Sequence, residues 1–111
     1  MAQITRFVRE DAQRYSDGAL LASSLIPEGE QPPFQMDWAS VEVGATTREE
    51  LHKVKKVFIF MTGTGTAIVG EERIAVSPGL IVWVPREVPH HLENDGKEPL
   101  QLTVIKWDPK T

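Results

Sequence analysis

From residue 34 onward the chain is a series of short β-prone stretches, each cut off by turn residues, and this punctuation points to an all-β sandwich or barrel. Residues 34–43 read as one strand. Residues 50–61 end in the run VFIFM, which favours strand strongly. Residues 66–69 and 73–76 flank Gly70 and Glu71 as a hairpin. Residues 80–84 stop at Pro85, which lacks the N–H that a ladder needs. Residues 90–93 and 100–107 complete the set, with Asn94, Asp95 and Gly96 turning between them. Before residue 34, Gly18 interrupts any helical pattern, so residues 1–18 read as an arm with at most one short turn. Residues 19–26 read as a strand that ends in a loop holding Pro27, Gly29, Pro32 and Pro33. Eight or nine strands result, with no amphipathic helix in the second half.

Two glycine-anchored patterns lie inside this strand-rich region. The first is Gly44-x5-Glu50-x-His52-x3-Lys56-x6-Gly63, and the second is Gly79-x5-Pro85-x-Glu87-x2-His90-x3-Asn94. Both spacings resemble the signature motifs of the cupin family. The residue types differ at three anchors. Glu50 stands where that family has the first His, Lys56 where it has Glu, and Glu87 where it has the middle Gly of the second motif. The resemblance implies a cupin-like double-stranded β-helix, a jelly-roll barrel, over residues 34–107. Residues 1–33 then form an N-terminal arm and strand within one domain. It also implies that the motif positions face inward, and it implies a homodimer.

Side chains two apart on a strand share a face. Glu50 and His52 therefore point the same way, and Lys56, Phe58 and Phe60 share that face if the strand is regular across the motif. His90, Leu92 and Asn94 share a face of their own strand, and His91 points away. A one-residue slip would bring Glu49 inward in place of Glu50. With the motif positions inward, Glu50, His52, Lys56 and His90 meet, and Phe58, Phe60, Leu92, Leu102 and Val104 form apolar walls.

Two chemistries suit that group. Two imidazoles and one carboxylate, from Glu50, His52 and His90, make a set for a divalent ion such as Mn, Fe, Ni or Zn. A protonated Lys56 opposes an ion there, so a metal-bound site needs Lys56 to swing out, become neutral or face a substrate anion, and it would then act as a general base or an oxyanion partner. In the metal-free alternative, the Lys56 ammonium takes the place of the ion and the pocket holds a small anionic or hydrogen-bonding ligand. Three functions stay open: a metal-dependent enzyme acting on a small polar or carboxylate-bearing metabolite, a non-catalytic small-molecule-binding module, and a structural protein with a vestigial pocket.

Composition narrows the partners. The formal net charge of −4 argues against nucleic acid, which prefers a basic face. There is no cysteine, so neither a disulfide nor a thiolate nucleophile is available. No apolar run approaches the ~18 residues that span a bilayer, and the first residues lack an apolar signal region. A soluble, cytoplasmic protein without a membrane partner is the expectation.

Overall fold

The computed structural model describes residues 2–108. Among these residues nine strands form in chain order: β1 Gln13–Tyr15, β2 Leu20–Ser24, β3 Gln35–Val41, β4 Lys55–Thr62, β5 Gly65–Val69, β6 Glu72–Val76, β7 Ile81–Val84, β8 His90–Glu93 and β9 Leu100–Trp107. They make a six-stranded sheet in the order β1-β2-β3-β9-β4-β7 and a three-stranded sheet in the order β6-β5-β8. Every pairing is antiparallel.

The core follows from alternation. On β4, Lys56, Phe58 and Phe60 turn inward. On β9, Leu100, Leu102 and Val104 meet them, with Phe58 opposite Val104 and Phe60 opposite Leu102. Ala67 and Leu92 from the small sheet close the interior. On β7, Val82 and Val84 are buried while Ile81 and Trp83 face out. The turn before β5 needs glycine. Gly63 has φ +84, and a Cβ there would lie 2.6 Å from the Pro99 carbonyl oxygen.

Two expectations change. The strand carrying the first motif is not regular, because β4 begins at Lys55. Residues 44–50 instead run antiparallel to β8 through the bridges Thr46–Glu93 and Glu50–His90. Backbone bonds from Gly44 N to Asn94 O, Thr47 N to Leu92 O and Glu50 N to His90 O hold them there. The arm also has more structure than a single turn. It contains two short 3-10 turns and β1, which pairs along β2. Phe7 stacks on Trp38 with ring centroids 4.9 Å apart, and Arg9 pairs with Glu42. These contacts are tertiary, so no local periodicity announces them. Among the described residues, no helix is long and apolar enough to cross a membrane.

Candidate functional site

A cavity of about 500 Å³ opens into the barrel. Its walls come from β1, β2, β3, β4, β8, β9 and the segment around residues 47–50. That size suits a small-molecule ligand.

His90 is the best-fixed polar group in it. The bend before β8 passes through Glu87 at φ 61, a left-handed conformation that a non-glycine residue rarely adopts. The Glu87 amide donates to the His52 carbonyl, which ties this bend to the segment before β4. Pro89 follows, and His90 then opens β8 with only 4% of its surface exposed. Its Nδ1–H donates to the Val88 carbonyl at 2.9 Å. A carbonyl can only accept, so the ring presents Nε2 as an acceptor. Nε2 receives a hydrogen bond from Lys56 Nζ at 2.9 Å. Burial holds the pKa of His90 below the ordinary histidine value, which keeps the ring neutral and able to accept.

Lys56 reaches this place because β4 turns it inward beside Phe58, and it is 5% exposed. Burial lowers its pKa to about 8, with Lys106 pressing the same way and Glu50 opposing. Its Nζ lies 3.8 Å from Glu50 Oε2. Glu50 in turn accepts a short hydrogen bond from His52 Nε2. Burial works to raise the pKa of Glu50, but the His52 hydrogen bond and the Lys56 charge outweigh it, so the carboxylate stays ionised below its usual range. The bridge to His90, rather than membership of β4, brings Glu50 into the site.

One ligand atom from each of Glu50, His52 and His90 lies within 4.8 Å of the others. These three residues could hold an ion, and the Val88 carbonyl behind His90 orients the ring as the outer partners of metal-bound histidines do. The donor set therefore fits a divalent cation. Lys56 competes for the same His90 lone pair.

The walls are largely the apolar residues expected. Phe58, Leu92, Leu102 and Val104 line the cavity. Phe60 is 1% exposed and lies in the core beyond the cavity lining. His91 has its Nε2 3.5 Å from Glu93 and borders the cavity from the position next to His90, rather than lying wholly outside it. Several polar lining residues lie outside the two motifs, Tyr15 from β1, Asp37 from β3 and Lys106 from β9, and Arg48 occupies an unspecified position of the first. A lone aspartate inside the stretch QMDWASV is the one sequence signal that could have marked Asp37.

Comparison with known proteins agrees with this architecture. A family profile described as Cupin domain matches residues 37–106. The uncharacterized protein MJ1618 of Methanocaldococcus jannaschii is 28% identical over 95 residues, spanning 84% of this chain and 76% of that protein. The plu4264 protein of Photorhabdus luminescens superposes with a TM-score of 0.86 at 25% identity, over 99% of this chain and 91% of that one. A Cupin 2 conserved barrel domain protein of Salinispora arenicola superposes with a TM-score of 0.87 at 24% identity, over 99% and 92% of the two chains.

Proposed function

The chain belongs to the cupin family, and from that premise we propose that its barrel cavity is a small-molecule site in which Lys56, rather than a metal ion, supplies the positive charge. The observation that carries this reading is the 2.9 Å contact between Lys56 Nζ and His90 Nε2. The imidazole lone pair that would serve a cation already serves an ammonium. An ammonium has three donors. One goes to His90 and Glu50 attracts another, which leaves donor capacity for a carboxylate, enolate or carbonyl oxygen of a ligand. Phe58, Leu102 and Val104 take the apolar part of that ligand. Lys56 suits proton transfer in the cavity, because burial lowers its pKa to about 8, near enough to neutrality for acid–base work.

A metal-dependent enzyme acting on a carboxylate-bearing metabolite is the second reading. The clustering of ligand atoms from Glu50, His52 and His90 favours it. A bound ion would supply Lewis-acid polarisation of a substrate oxygen. Lys56 would then have to turn toward substrate or lose its proton.

Elemental analysis separates the two readings. The protein is purified without chelator and then reloaded with Mn, Fe, Ni or Zn, beside His52→Ala/His90→Ala and Lys56→Met. We expect substoichiometric metal in the wild type and a clear gain in Lys56→Met. Near-stoichiometric metal in the wild type, lost in the double variant, would overturn the first reading in favour of the second. The homodimer implied by family resemblance belongs to the same proposal, and light scattering at micromolar concentration checks it.

A further inference from the structure

Asp37 is a cavity group that the Lys56 cluster leaves unused. Trp38 stacks under Phe7 on the outer face of β3, so its neighbours Asp37 and Ala39 turn inward and line the cavity. The register sets Asp37 opposite Ser24 on one side and Val104 on the other. The carboxylate makes no hydrogen bond or ion pair within the described residues. Lys106 and Lys56 act on it only as more distant charges, and burial outweighs them to hold its pKa above the ordinary aspartate value. A half-buried carboxylate without a partner is unfavourable, and a ligand donor would relieve it.

Its position relative to Lys56 has chemical content. Asp37 is on β3 and Lys56 on β4, with β9 between them. Two interstrand spacings put the strands roughly 10 Å apart. Asp37, Val104 and Phe58 stand in one row across the three strands, and Lys56 lies in the next row, opposite Lys106; all five line the cavity. The cavity thus has Lys56 on β4 at one side and Asp37, without a partner among the described residues, on β3 at the other, with apolar Val104 and Phe58 in Asp37's row and Lys106 on β9 beside Lys56. The other charged or titratable groups lining it are Asp11, Tyr15, Arg48, Glu50, His90, His91 and Lys106. Of these, Arg48 is held by Asp17 at 2.6 Å and Glu50 by His52.

We propose that the cavity selects a bipolar small molecule, whose anionic group meets Lys56 and whose ammonium or hydroxyl donor meets Asp37, with a flat apolar spacer lying over Phe58 and Val104. This inference rests on the ligand-binding reading above and adds the second recognition point. Asp37 sets specificity, and Lys56 sets the preference for an anion.

Calorimetric titration of the full chain with benzoate, benzylamine and 4-(aminomethyl)benzoate tests it. In the wild type, 4-(aminomethyl)benzoate should bind about tenfold or more tighter than benzoate, the effect of one charge-assisted hydrogen bond. Asp37→Asn should erase that advantage and leave benzoate within about twofold of the wild type. Asp37→Ser should behave alike, and Lys56→Met should weaken both carboxylates. Circular dichroism of each variant checks that the fold is kept. Benzoate binding without a preference for the bipolar probe would overturn the role of Asp37 while leaving the Lys56 reading intact. A preference that survives Asp37→Asn would do the same. Failure of all three probes to bind the wild type would overturn both.

Discussion

The two halves of the site are built to different standards. The half from the second motif is buried and stitched into the sheets. His90 is 4% exposed and Asn94 2%. Asn94 Nδ2 donates to the carbonyls of Val41 and Glu98, and its Oδ1 accepts from the Gly96 amide. One side chain thereby ties the end of β8 to the end of β3 and closes the turn that follows. The opening stretch of the first motif, residues 44–54, lies outside any named strand. The side chains of Glu50 and His52 are 39% and 36% exposed, and they are held by the Glu50–His90 bridge, the Glu87–His52 backbone bond, the Lys56 ion pair and each other. Chemistry can change in the second arrangement at small cost to the fold, whereas the first allows almost no change. Two of the three altered residue types fall accordingly: Glu50 lies in the looser half, and Lys56 sits at its junction with β4, while the third, Glu87, is at the bend before β8 in the second motif.

The largest effect that would test this contrast is on stability. Asn94→Ala removes three hydrogen bonds and leaves buried backbone groups unpaired, which should cost about 2–4 kcal/mol. His52→Ala removes a half-exposed partner of one carboxylate and should cost below about 1 kcal/mol. Urea denaturation of both variants measures the difference. Equal losses would mean that the first-motif segment is as integral to the fold as β8.

How far the sequence discloses each half follows the same division. Gly63 and the strand runs VFIFM and LQLTVIKW are legible because local sterics and alternation dictate them. The spacing that sets His90 and Leu92 on one face of β8, with Asn94 continuing it just past the strand, is legible for the same reason. The sequence shows that Glu50 and His52 share a side, but not that a bridge to His90 rather than β4 carries Glu50. That pairing joins residues 40 positions apart, and no local pattern encodes it. Asp37 escapes notice because alternation says only that Asp37 and Ala39 share a face. The stacking of Phe7 on Trp38 decides which face is inward.

A smaller effect tests Lys56, the residue at the junction. Burial depresses its pKa from 10.5 to about 8 in the folded protein. Between those values the unfolded chain binds the proton more tightly, so stability rises with pH across that window. Below about pH 8 both states hold the proton, and the full penalty of burying the ammonium is present. The gain from pH 8 to pH 10.5 should be up to about 3 kcal/mol from this group. Subtracting the same pH series for Lys56→Met isolates it from other lysines and from Tyr15. A difference curve flat across this window would mean that the ammonium is well solvated and lies outside the cavity wall.

The smallest effect concerns the bend that joins the halves. Glu87 adopts φ 61, where an L side chain is strained and glycine is not. Its amide nevertheless donates to the His52 carbonyl, so the strained bend is also the contact between the two motifs. Glu87→Gly keeps that amide and relieves the side-chain strain, at the expense of greater freedom in the unfolded chain. The balance should favour the variant by about 0.5 kcal/mol, read as a rise in the urea midpoint at unchanged slope. Glu87→Pro provides the contrasting control, because it deletes the amide and fixes φ near −65°. Its effect should pass beyond stability to the geometry of His52 and Glu50, and show as altered metal uptake or ligand affinity. If Glu87→Pro destabilised the fold but left both unchanged, the loose half would be positioned by the Glu50–His90 bridge alone. The strained bend would then have no part in shaping the site.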